Sequence, residues 1–101
     1  MRRQPLDDGR WFDRDRAQVF REGHDWDGRN NISRATGSQW AHEELYLTAN
    51  GRWVLHWWSQ WVGSRPTWRE ISKSEAARWL IKNGYDPADV GLNGYAADSE
   101  L

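Results

Sequence analysis

From Glu43 to Val62 two strand-like runs, each with one mainly apolar and one mixed stripe, flank a break at Ala49-Asn50-Gly51. Asn-Gly between two alternating runs predicts a β-hairpin. The faces then choose the turn. A two-residue turn at Asn50-Gly51 sets Leu45 opposite His56 and Glu44 opposite Trp57, which mixes apolar with polar. A three-residue loop with Gly51 left-handed pairs Leu47 with Trp53 and Leu45 with Leu55 on one face. Its other face pairs Tyr46 with Val54 and Glu44 with His56. Only this register segregates the faces, so it is the one expected. The odd positions Trp53, Leu55, Trp57, Ser59 and Trp61 are then predicted core, joined by Leu45 and Leu47. The even positions are half polar, and Trp58 among them is the tryptophan that packing explains least.

Downstream, Gly63-Ser64-Arg65-Pro66 turns the chain and Thr67 to Ile71 predicts a third, short strand. Ser72-Lys73-Ser74-Glu75 has the form of a capping box, in which hydroxyl and carboxylate each satisfy an orphan amide of a helix start. Ala76, Ala77, Leu80 and Ile81 follow as an apolar stripe, with Trp79 at its edge, and Asn83-Gly84 offers a left-handed stop. Asp86-Pro87-Ala88-Asp89 predicts one more helical turn with proline at its first position. Upstream the pattern is weaker. Val19-Phe20 favours a strand at 17–21. Residues 23–39 carry Gly23, Gly28, Asn30, Asn31 and Gly37 and read as an irregular loop, with Trp26 and Trp40 packed down at its ends. Residues 1–9 and 92–101 read as loose ends of a single domain spanning 1–101. The fold expected is α+β: a small antiparallel sheet, a central hairpin with short edge strands, against one C-terminal helix.

Composition sharpens this picture. Nine tryptophans in 101 residues supply unusual apolar area for a small core. Tryptophan, arginine and tyrosine are also the residues that anchor interfaces. The net charge is −1, and acid alternates with base, as in Asp13-Arg14-Asp15-Arg16. Duplex binding leans on clustered positive charge, which is missing, and the stretch from Asn83 to Leu101 has acidic residues and no Lys or Arg. With no cysteine, disulfides and thiolate metal sites do not arise. No apolar run resembles a signal peptide or a membrane span, so a cytoplasmic protein with no membrane partner is expected.

Few residues suggest catalysis. His42-Glu43-Glu44-Leu45-Tyr46 begins like a zinc-protease helix, but a tyrosine stands where the second histidine is needed. Asp25-Trp26-Asp27-Gly28 has its glycine at the wrong place for a calcium loop, and a turn held by aspartate side chains is the better reading. A Glu44–His56 cross-strand pair has the form of an acid–base dyad, but an ordinary polar pair on a sheet face is the better reading. No nucleophile elbow, phosphate loop or dinucleotide fingerprint is present. No enzyme, cofactor or metal site is expected. Trp58, with His56 and Gln60 on the even face, and Trp68, Arg65, Arg69 and Trp26 remain as a recognition patch.

The run from Gly51 to Ser64 (Gly-Arg-Trp-Val-Leu-His-Trp-Trp-Ser-Gln-Trp-Val-Gly-Ser) resembles a group of small, functionally uncharacterised, Trp-rich bacterial and mobile-element proteins. Glu75-Ala76-Ala77-Arg78-Trp79-Leu80 and Ala35-Thr36-Gly37-Ser38-Gln39-Trp40 extend the likeness over residues 23–84. The resemblance carries no catalytic residue. It implies a bacterial or phage-associated accessory protein, a setting in which inhibitors of host defence such as anti-CRISPR proteins are common. The expected function is a non-catalytic domain that binds another protein. The alternatives are a nucleic-acid-binding regulator using Arg and exposed Trp, then a carbohydrate-binding module using Trp53, Trp57 and Trp61 as a stacking row.

Overall fold

Four antiparallel strands form the centre of the molecule in a computed structural model describing residues 1–101. They are β3 (Gln18–Arg21), β6 (Ala41–Leu47), β7 (Trp53–Ser59) and β8 (Thr67–Ile71), in the order β3-β6-β7-β8. The β6–β7 register is the segregating one, with Leu47 opposite Trp53, Leu45 opposite Leu55 and Glu44 opposite His56. Gly51 is left-handed at φ +78°, and its amide donates to the Thr48 carbonyl, closing the three-residue loop. A strand at 17–21, the third strand at Thr67–Ile71 and the α+β class all stand as expected.

Helix α1 (Lys73–Lys82) starts at the capping box, Ser72 accepting from the Glu75 amide and Glu75 from that of Ser72. It lies over the odd face. Ala76, Ala77, Trp79 and Leu80 pack with Phe20, Leu45, Trp53 and Leu55. The stripe is rotated from the one expected: Trp79 is buried and Ile81 is half exposed. A 3-10 turn at Pro87–Val90 follows, with Asp86 capping it through the Ala88 amide.

Both ends depart from the expectation of loose tails. Arg3–Pro5 (β1) pairs with Trp11–Asp13 (β2) as a ribbon that lays Leu6 and Phe12 against Tyr46, Val54 and Trp68 on the even face. Leu92 is buried in the main core, and α2 (Asn93–Ala97) follows it, Ala96 packing against that core. The reason is area: four strands have two faces, and one ten-residue helix covers one of them. The loop expected at 23–39 contains a ribbon of its own, β4 (His24–Trp26) with β5 (Asn31–Ser33). Asp27 makes its turn by accepting from the Arg29 and Asn30 amides at 2.8 and 2.7 Å, and these donors hold its carboxyl below the ordinary range.

Two tyings at the sheet edges come from far along the chain. Asp7 donates its amide to the Trp68 carbonyl at 2.9 Å and accepts from the Trp68 amide at 3.2 Å on β8. On β3, the Tyr85 hydroxyl accepts from the Arg21 amide at 3.1 Å and donates to the Arg21 carbonyl at 2.8 Å.

Candidate functional site

On the even face the alternation places His42 and Glu44 of β6 beside His56 and Trp58 of β7, and His56 beside Trp68 of β8. The rings meet in a continuous row. His42 is 5.6 Å from Trp58, Trp58 stacks on His56 at 4.7 Å, and His56 stacks flat on Trp68 at 3.7 Å and 9°. Arg14 closes one end, its guanidinium over Trp68 and Tyr46. Trp58 is therefore half-buried in a stack, where a free-standing anchor was expected. Glu44 lies 3.8 Å from the His56 Nδ1, too long for a hydrogen bond. The nearby His56 imidazole and the Arg21 guanidinium, which donates to Glu44 Oε2 at 2.7 Å, together outweigh burial and hold the Glu44 carboxyl below its ordinary value.

The remaining residues of the expected patch do not join this row. Gln60 is exposed past the end of β7, its amide donating to the Trp40 carbonyl. Arg69 projects from the odd face toward Glu75, at 3.6 Å, and Arg65 is exposed in the loop before β8. Trp26 stands 65% exposed on the β4–β5 ribbon instead of packing down. Trp40 is likewise exposed. The odd-face row is also divided: Trp53 is buried, Trp57 is half-buried, and Trp61 lies beyond the end of β7 with 65% of its surface in solvent. Helix α1 explains the division, since ten residues at ~1.5 Å each span only about 15 Å and the core stops at Leu55.

Two features were missed by sequence reasoning. Trp40 and Trp61 meet at 5.6 Å, 44% and 65% exposed, with Val62 fully exposed beside them. Each sits on a turn fastened by hydroxyls. Ser38 Oγ accepts from the Trp40 amide at 2.9 Å, and Thr36 Oγ1 donates to the Ala41 carbonyl at 2.7 Å. Ser59 Oγ accepts from the Trp61 amide at 3.1 Å, and Ser64 Oγ donates to the Trp61 carbonyl at 2.7 Å. The available signal was the Thr-Gly-Ser-Gln-Trp and Ser-Gln-Trp-Val-Gly-Ser segments themselves, where small hydroxyl residues next to glycine spell fastened turns.

The second feature is a buried carboxylate. Glu22 follows β3 with its side chain only 7% exposed. Its Oε1 accepts from Ser33 Oγ and from the Glu43 amide, each at 2.7 Å. Its Oε2 faces His42 Nδ1 at 2.6 Å and His24 Nε2 at 2.9 Å. Burial pushes this carboxyl up, but the Glu43 amide, His42 and Ser33 outweigh it and leave it below the ordinary value. These residues stand at 22, 24 and 42, a spacing that matches no motif and that sequence reasoning therefore passes over. They are the residues of this chain that can hold a metal ion.

Comparison of the chain with protein-family models, characterised proteins and solved structures finds no match. No helix is long and apolar enough to cross a membrane.

Proposed function

We propose that this chain is a non-catalytic protein-binding domain whose contact surface is centred on Trp40, Trp61 and Val62. The observation that carries the reading is the pair of exposed indoles on fastened turns. A contiguous exposed apolar patch marks an interaction site, and aromatics are the side chains that dominate interface energies. Holding them rigid before binding removes much of the ordering cost that association otherwise carries.

Two details favour a protein over the other partners. The turns 36–40 and 59–65 contain one cation, Arg65, so a phosphate backbone finds little charge there. The two indoles are tilted 55° to each other and do not form the flat platform on which a sugar or base stacks. The resemblance to mobile-element proteins makes components of host defence the first partners to test.

The experiment is affinity capture from a nuclease-treated bacterial lysate, comparing the wild type with the Trp40→Ala, Trp61→Ala double variant. A protein retained by the wild type and lost by the variant, at a stability cost within about 1 kcal/mol, supports the reading. Capture that survives the double substitution, or that vanishes with nuclease, overturns it.

A further inference from the structure

We infer that Glu22, His24 and His42 form a binding site for a divalent transition-metal ion, of which zinc fits the donor set best. This inference stands apart from the protein-binding reading and does not depend on it. Two imidazole nitrogens and one carboxylate oxygen lie within 4.8 Å of one another. Two nitrogens and one oxygen suit zinc, cobalt or nickel, whereas calcium and magnesium ask for oxygens alone.

The carboxylate is prepared for the task. Ser33 and the Glu43 amide engage Oε1, which fixes the plane of the group and leaves Oε2 turned toward both imidazoles. Outer hydrogen bonds of this kind orient the ligands in metal sites. The framework beneath is tied as well. Gly23 donates its amide to Asn83 Oδ1 at 2.9 Å and accepts from the Arg34 amide at 2.8 Å. A side chain at position 23 would meet Arg34 at 2.9 Å and the Asn83 carbonyl at 3.1 Å. A side chain there would have to displace Arg34 and crowd the Asn83 carbonyl, so glycine fits the close passage between the first two residues of the cluster.

Distances and exposure agree with a metal site. Ligand atoms around a tetrahedral zinc are about 3.3 Å apart, given bonds of ~2.0–2.2 Å. From 2.6 and 2.9 Å, each imidazole has to retreat by less than about 1 Å. His24 can do so, since its side chain is 44% exposed, against 18% for His42. That open side leaves room for water or a partner's side chain as a further ligand, the arrangement of an unsaturated site.

The test is titration of the purified, EDTA-stripped protein with zinc chloride by calorimetry, and with cobalt chloride by visible absorption. Expected are one ion per chain and the strong visible bands of four- or five-coordinate cobalt. His24→Ala should weaken binding by more than about tenfold, while His56→Ala leaves it unchanged. Because His42 is packed against Trp58, wild-type NMR provides a readout that needs no variant. Zinc should shift the ring signals of His24 and His42 and spare those of His56. Absence of one-to-one binding overturns the assignment, as does binding that His24→Ala leaves intact or ring shifts centred on His56.

Discussion

The two faces of the central sheet are made by the same strands yet hold together by different forces. On the odd face Leu45, Trp53, Leu55 and α1 exclude water chiefly by apolar packing. On the even face the β1–β2 ribbon covers Tyr46 and Val54, and the rest is a stacked row of imidazole and indole beside Glu44 and Glu22. Alternation along β6 and β7 thus separates a face that stabilises from a face that retains chemistry, and it does so within single strands. The adjacent residues Glu43 and Glu44 carry the difference in miniature. Burial pushes the Glu43 carboxyl up, the Trp79 indole N–H offsetting it only in part. Glu44, one residue on, is held down by His56 and Arg21.

The contrast is broken most directly by truncating one ring or chain on each side. Leu80 is fully buried, and Leu80→Ala should cost about 2–5 kcal/mol in denaturant unfolding. Trp58→Ala removes a larger side chain from the even face but only a stacked, half-buried one, and should cost about 1–2 kcal/mol. Equal losses would mean that the stacked row is packed as tightly as the core under α1.

A smaller effect tests what keeps the faces apart. Gly51→Ala meets no neighbouring atom within 4 Å, so its cost is the left-handed backbone alone. That should be about 1–2 kcal/mol, read as a lowered midpoint with an unchanged m-value. A slip of one residue would exchange the faces, and a changed m-value would report it.

The smallest effect is electrostatic and opposite in sign on the two faces. A lowered carboxyl contributes stability above its unfolded value and loses it as pH falls through the folded value. A raised carboxyl costs stability once pH rises past its unfolded value, and protonation relieves the cost. The windows lie below 4.5 for Glu44 and above 4.5 for Glu43. At pH 7, with EDTA present, Glu43→Gln should raise stability and Glu44→Gln lower it, each by about 0.5–1 kcal/mol. Chemical melts at pH 7 and pH 4 measure both. The same sign for both variants would remove the electrostatic distinction between the faces.

Much of the sheet was legible because its signals are local. Alternation fixed the β6–β7 register, and Ser72 with Glu75 marked the start of α1 within one turn. What escaped depends on contacts between distant segments. The three-residue strands β1 and β2 are too short for periodicity, and Leu6 is one apolar residue among polar ones until Tyr46 and Val54 give it a surface. Alternation also says which way Trp61 points along an ideal strand and nothing about where the covering helix ends. Glu22 reads as an ordinary surface acid, because His42 reaches it only through the β3–β6 pairing and Ser33 only after the β4–β5 ribbon folds. Of the expected patch, Trp58, His56 and Trp68 do gather, since they share strand faces. Arg65, Arg69 and Trp26 have only their residue type to recommend them and scatter, while Gln60, expected on the even face, lies past the end of β7.

A protein that displays bare indoles runs a particular hazard. An open strand edge beside them would let chains zip together in a growing β-ribbon. Here the outermost strands are both plugged, β8 by Asp7 and β3 by the Tyr85 hydroxyl, each occupying the outward amide and carbonyl of one residue. Those two plugs leave sticky side chains available while denying self-templated polymerisation a backbone to copy. Tyr85→Phe should bare the Arg21 amide and carbonyl at that edge, and light scattering against the wild type reads any gain in self-association.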